Sequence, residues 1–236
     1  MPPPPVPAAN PSRQESTETG REGGSGHGPA PSRPVTGGGV RRGSLVVLSS
    51  PSGGGKTTVV RALLRRVPRL TRSVSVTTRP PRPSERTGRE YWFISTKRFA
   101  RLRAQGGLLE WARVHQACYG TPRRAVEQAL ARGRDVVLSI DVQGARQIRR
   151  RCGRDAVLVF LVPPSRRELK RRLLRRGTES AEGIRTRLAA ATRELACVRW
   201  YDYAVVNDRL ADAIAQLAAI VTAERVRVKE GQRRRG

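Results

Sequence analysis

The stretch Ser50-Pro51-Ser52-Gly53-Gly54-Gly55-Lys56-Thr57 gathers the residue types that hold phosphate. Three consecutive glycines let backbone N–H groups converge on phosphate oxygens. Lys56 adds a point charge suited to β- and γ-phosphates, and the Thr57 hydroxyl suits Mg2+. The pattern is that of a phosphate-binding loop, G-x-x-x-x-G-K-S/T, except that Ser50 stands where the first glycine belongs. With Thr58 included, residues 50–58 form the candidate triphosphate site. The competing reading is an ordinary glycine-rich turn. The flanks argue against it, because an apolar run precedes the turn and an amphipathic stretch follows it.

A second candidate is Asp141, at the end of Val136-Val137-Leu138-Ser139-Ile140. An apolar strand ending in an acid places a carboxylate at the carboxyl edge of a sheet, near Mg2+ or a substrate. A strand-ending acid that merely caps the next helix is the alternative.

Positioning these residues requires a strand and a helix on either side of the turn. Leu45, Val46, Val47 and Leu48 form a short β-branched run of the kind buried on both faces. Residues 57–66 read as a helix with Val59, Val60, Leu63, Leu64 and Val67 on one face. The centre of the chain is less regular. Residues 73–78 alternate like a strand, 79–88 form a Pro- and Arg-rich loop, and 91–94 and 108–114 suit short strands. A helix is expected over 122–132. Strands over 135–140 and 156–162 then bracket a helical 142–151. Ser165 and Glu168 make a capping box ahead of Leu169, Leu173 and Leu174. Ile184, Leu188, Ala191, Leu195 and Val198 make a helical stripe, and 203–206 a last strand. Asp208 is placed to cap a terminal helix carrying Leu210, Ile214, Leu217 and Val221. Strands alternating with helices predict an α/β fold around a central parallel sheet.

Composition narrows the function classes. The 236 residues suit one domain with a tail, and 47 Lys+Arg against 19 Asp+Glu give a formal charge of +28. Only four of the cations are Lys. Residues 1–43 hold five Arg and three Glu, so a surplus of 26 lies beyond them. Such a charge favours non-specific polyanion binding, and a general arginine bias of the composition accounts for it equally well. Residues 1–42 are rich in Pro, Gly and Ser and are expected to be a disordered tail. Three widely spaced cysteines, Cys118, Cys152 and Cys197, fit neither a zinc site nor a disulfide framework, and a reducing cytoplasm is expected. No apolar run spans a bilayer, and the first residues lack the apolar core of a signal peptide. His27 and His115 have no partner pattern that marks a general base.

Several further stretches carry a resemblance. They are Ser75-Val76-Thr77-Thr78-Arg79-Pro80-Pro81-Arg82, Gly88-Arg89-Glu90-Tyr91-Trp92-Phe93, Leu109-Glu110-Trp111-Ala112, Tyr119-Gly120-Thr121-Pro122 and Ile140-Asp141-Val142-Gln143-Gly144. Arg175-Arg176-Gly177-Thr178-Glu179 and Val206-Asn207-Asp208 follow in order. Together, from about Gly43 to Arg225, they resemble bacterial-type guanylate kinases. The resemblance implies a P-loop NTPase fold over 43–228, with an inserted GMP-binding region at about 75–123 and a small lid at about 175–190. A basic tail over 229–236 would lie beyond it. It also implies ATP and GMP as substrates and Mg2+ as the ion.

By that resemblance Arg79, Arg82, Tyr91 and Tyr119 would grip the GMP phosphate, the arginines with bidentate geometry. Glu110 would accept the N1–H and 2-amino donors of guanine, and Ser75, Thr121 and Asp141 would contact the rest of the base. Lys56, Arg172, Arg176 and Arg187 would neutralise charge on the moving phosphoryl group, with Arg175 competing for the place of Arg176. Asn207 would lie on the nucleotide side, near adenine. The family usually carries an acid where this chain has Ser139. Three other readings are a non-catalytic module of the same fold, a nucleic-acid-binding protein, and a kinase for another acceptor. The retained Lys56, Thr57 and lid arginines, the low aromatic content, and Glu110 argue against them in turn.

Overall fold

Every residue of the run Leu45–Ser49 is buried, which an apolar sequence permits only in a strand covered on both faces. In the computed structural model, which describes residues 41–114, 116–175 and 181–228, this run is β1. Next come α1 (Lys56–Arg66), β2 (Leu70–Arg72), β3 (Val76–Thr77), β4 (Trp92–Phe93) and α2 (Thr96–Ala104). β5 (Leu108–Val114), β6 (Ala117–Pro122), α3 (Arg123–Ala131), β7 (Asp135–Ser139) and α4 (Val142–Cys152) complete the first two thirds. The rest is β8 (Ala156–Val162), α5 (Arg166–Leu174), α6 (Ala181–Leu195), β9 (Tyr203–Val206) and α7 (Leu210–Val226). Both expected tails, apart from Arg41 and Arg42, lie outside the described residues, as do His115 and Arg176.

The main sheet has the order β2-β7-β1-β8-β9 and is parallel throughout. Alternate side chains of each strand feed two cores. Val46, Leu48, Val137, Val157 and Val159 meet Val59, Val60 and Leu63 of α1 and Leu217 and Val221 of α7. Leu45, Val47, Val136, Leu138 and Leu158 meet Val126 and Leu130 of α3 and Ala145 and Ile148 of α4. Each such buried side chain contributes about 2 kcal/mol. That packing matters more than local signals for α7, which starts without a side-chain cap. Its N-cap position is Arg209, so Asp208 does not cap it. No helix of the described residues is long and apolar enough to cross a membrane.

Between β2 and β7 the chain builds a second, four-stranded sheet, β4-β3-β6-β5. Residues 73–78, expected as one strand, are shared by the two sheets. The Ser73 N–H donates to Val137 O at 3.2 Å, and the Trp92 N–H donates to Ser75 O at 2.8 Å. The segment leaves the first ladder, where β2 ends at Arg72, before it joins the second, so the expected strand shortens to β3. Phe99 of α2 packs on Val76 and Leu108 and closes the small core.

One buried acid fastens the two ends of the domain. Asp135 is 1% exposed at the start of β7. It accepts from Ser44 N at 2.8 Å, Arg41 Nη2 at 2.9 Å and Arg225 Nε at 2.8 Å. Asp135→Ala leaves a buried N–H and two arginines without their acceptor. Unfolding in urea should show a loss of about 2–3 kcal/mol. A change below about 0.5 kcal/mol would mean that the clasp carries no stability.

Candidate active site

The chain leaves β1 at Ser50 and enters α1 at Lys56, one residue earlier than expected. Gly53 (φ 86°) and Gly55 (φ 89°) both adopt the left-handed conformation that a β-carbon strains. Space is a second constraint: a β-carbon on Gly53 would lie 3.0 Å from Leu173 Cδ2. Gly54 N–H donates to Pro51 O at 2.9 Å, and Asn207 Nδ2 donates to Gly54 O at 2.8 Å. Asn207 is thus committed to the loop from the end of β9. Ser50 is buried, and its hydroxyl donates to Pro51 O at 3.1 Å, so it fits the opening of the turn. Gly55 is the N-cap of α1 and no side chain caps the helix. The unsatisfied N–H groups of its first turn lie beside the loop glycines, where an anion is stabilised. Thr57 and Thr58 are exposed at that point, and Pro51 is buried beneath it.

Lys56 Nζ donates to Ile140 O at 2.9 Å. Burial lowers its pKa from the ordinary lysine value, while Asp141, Glu194 and Glu110 oppose that fall. The two readings of Asp141 turn out to be compatible. Its Oδ1 caps α4 by accepting from Gly144 N at 2.9 Å, and its charge is also felt by Lys56 and Glu110.

Glu110, in β5, is 3% exposed and accepts from Thr121 Oγ1 in β6 at 2.6 Å. The register that pairs Glu110 with Thr121 brings the two side chains together. A β-carbon on Gly144 would collide with Glu110 Oε2, so only glycine at that corner leaves room for the carboxylate. Burial pushes the Glu110 pKa up to about 7, with Asp141 adding to the rise and the Thr121 bond opposing it.

Arg79, Tyr91 and Tyr119 also come together. Arg79 Nε donates to Tyr119 Oη at 3.2 Å, and the guanidinium lies 5.2 Å from the Tyr91 ring centre. Arg79 forms a fork with Glu85, two bonds of 2.6 Å each. That partner uses donors which the expected bidentate grip on phosphate would need. The Arg82 side chain is exposed, and Ser75 sits half-buried just before β3.

On the opposite side, α5 and α6 bring two arginines to the loop. Arg172 donates from Nε to Glu168 Oε1 at 2.8 Å and from Nη2 to Asn207 O at 3.0 Å. Arg187 Nη1 donates to Ser52 Oγ at 3.2 Å. Glu194 of α6 also faces the loop: Ser52 supplies a backbone hydrogen bond, and burial raises its pKa. Its Oε2 is buried without a hydrogen-bond partner.

Sequence reasoning passed over Glu85, Gly144 and Glu194. Glu85 lies in the stretch 79–88, which reads only as a Pro- and Arg-rich loop. Gly144 and Glu194 gain meaning from contacts with residues 34 and 142 positions away, which no local pattern encodes.

The sequence model of the guanylate kinase family matches residues 42–224. A guanylate kinase of Rhizobium meliloti (strain 1021) is 53% identical over 188 residues, covering 80% of this chain and 86% of the relative. One from Desulfitobacterium hafniense (strain Y51) is 50% identical over 187 residues, 79% of this chain and 93% of the relative. The crystal structure of guanylate kinase from Anaplasma phagocytophilum superposes with a TM-score of 0.68 at 33% identity, covering 82% of this chain and 93% of that one.

Glu110 imposes a pH dependence on stability. Its folded pKa of about 7 lies above the ordinary 4.5. Between those values the folded state binds more protons than the unfolded state, so stability falls as pH rises. The full shift corresponds to about 3 kcal/mol. Denaturant melts of Glu110→Gln against the parent protein across this range should diverge in that direction. Parallel curves would show that the carboxyl titrates normally.

Proposed function

The chain belongs to the guanylate kinase family, and from that membership we infer that it transfers the γ-phosphoryl group of ATP to GMP, yielding ADP and GDP. Glu110 is the observation that carries the acceptor half. A buried carboxylate suits the paired N1–H and 2-amino donors of guanine, and adenine offers no such pair. Two donors from the base would favour the ionised form. dGMP serves as well, because recognition falls on base and phosphate.

The ATP phosphates lie over residues 50–58, held by loop N–H groups, the start of α1 and Lys56. Asn207 acts through Gly54 O, fixing the loop from beneath. The GMP-binding region at about 75–123 rests on the small sheet, where Arg79, Arg82, Tyr91 and Tyr119 take the phosphate. Ser75, Thr121 and Asp141 complete the base pocket. A lid at about 175–190 would bring Arg176 beside Arg172 and Arg187, which already reach the loop.

The nucleophile is a GMP phosphate oxygen, largely deprotonated at neutral pH because its second pKa is about 6. No general base is required. Catalysis rests on in-line placement and on charge neutralisation by Lys56 and the three arginines. Thr57 and Asp141 fit Mg2+: an exposed hydroxyl at the helix start, and a carboxylate that spends Oδ1 on Gly144. Among the described residues no three acids, His or Cys are grouped so as to hold a metal. When bound, Mg2+ offsets charge on the β- and γ-oxygens. The free thiols of Cys118, Cys152 and Cys197 support a reducing, cytoplasmic setting. The large cationic surplus gives salt-sensitive polyanion binding as a side property.

Two variants test the assignment. Lys56→Ala should keep the native circular dichroism and lose turnover by about 100-fold or more. Glu110→Gln should lower kcat/KM for GMP by about 100-fold or more while leaving the KM for ATP near its native value. Full activity of either variant would remove that residue from the scheme.

A further inference from the structure

Arg79 is held on several sides before any substrate arrives. Nη2 donates to Glu85 Oε1 and Nη1 to Glu85 Oε2, each at 2.6 Å. Nη1 also donates to Pro80 O at 2.9 Å, and Nε to Tyr119 Oη at 3.2 Å. A guanidinium has five N–H groups in a fixed plane. These contacts take four of them and leave one, on Nη2. The rings of Tyr91 and Phe93 lie 5.2 and 5.6 Å from the guanidinium carbon. The Glu85 side chain is only 13% exposed. Glu85 Oε2 accepts in addition from Arg82 N at 2.9 Å, so one carboxylate closes the turn that carries the second arginine. Arg79 holds the Glu85 carboxyl below the usual carboxylate range, and it is ionised at neutral pH.

Two effects of opposite sign act on an incoming phosphate. The carboxylate repels it, and the fork presents the remaining N–H in a fixed direction. Arg79 and Glu85 largely cancel as charges at contact distance. The long arginine side chain, by contrast, would lose much rotamer freedom if it had to be ordered on binding. Orientation is therefore the larger effect.

We propose that Glu85 is a positioning residue for the acceptor phosphate, locking Arg79 and the Arg82 turn so that the free Nη2–H and the second arginine meet the phosphate together. The inference rests on the reading of Arg79 as a phosphate ligand. It turns the expected bidentate grip of Arg79 into a single directed hydrogen bond, supported from behind.

The test is a mutant cycle read by calorimetric titration of GMP and by steady-state kinetics, using Glu85→Gln, Arg79→Ala and the double variant. ATP affinity serves as the control for folding. Glu85→Gln is expected to weaken GMP binding about tenfold and to raise the KM for GMP by a similar factor, with kcat within about twofold. In the Arg79→Ala background the same substitution should lose most of its effect and keep only the part that runs through the Arg82 turn. Unchanged or tighter GMP binding by Glu85→Gln would overturn the proposal, the latter by showing that the carboxylate competes with the phosphate. So would a loss of full size in the Arg79→Ala background. If Arg79→Ala itself leaves GMP affinity intact, the underlying reading of Arg79 fails, and that result is distinct from a failure of Glu85 alone.

Discussion

The corner between β7 and α4, residues 140–144, joins the two halves of the site. Lys56 Nζ rests on the Ile140 carbonyl at 2.9 Å. Asp141 caps the helix that begins there, and Gly144 leaves the space that the Glu110 carboxylate fills. β7 lies beside β1 in parallel register, Leu48 opposite Ser139, so corner and phosphate loop emerge from the same edge of the sheet. Through Ile140 and Gly144 this corner thus touches both Lys56 and the Glu110 carboxylate. In-line transfer tolerates little misplacement between two substrates, and a shared rigid corner on the central sheet limits it. The rest of the fold keeps that corner in place: the two cores hold β1 and β7, and α4 packs Ala145 and Ile148 against them.

Acids are scarce in this chain, 19 against 47 cations, and where they are placed decides what they do. Asp135 ties Arg41 and Arg225, Glu85 ties Arg79, and Glu168 ties Arg171 and Arg172. In each case the carboxylate fixes the direction of a long cationic side chain. Glu110 differs, because the hydrogen bond to its carboxylate comes from the neutral hydroxyl of Thr121. With little compensating charge, burial dominates its titration. That is the condition under which a neutral base with two donors becomes its best partner.

The parts of this arrangement that were legible in sequence are those encoded locally. The apolar run of β1, the glycine turn and the stripe of α1 share one continuous stretch. The Ser165 cap could likewise be read directly, since its hydroxyl accepts from Glu168 N at 3.0 Å. Glu168 itself turns to Arg171 and Arg172, where a capping box would have drawn it back. The small sheet was only half visible. β6 carries Gly120 and Pro122 and lacks the apolar alternation of a strand, because its neighbours and the pocket decide its side chains. α2 buries Phe99 and is otherwise rich in arginine, so its apolar stripe is thin, although Ser95 caps it. β2 is a three-residue edge strand, too short for periodicity to register. The contact of Gln147 on Trp111, 36 positions away, was beyond the reach of local patterns.

Phosphoryl transfer from ATP to GMP is tested most directly by steady-state ADP formation with GMP, dGMP, AMP, UMP and TMP offered as acceptors. The expected result is turnover with GMP and dGMP, and kcat/KM at least about 100-fold lower with the other three. No turnover with GMP, or equal use of AMP, would contradict it.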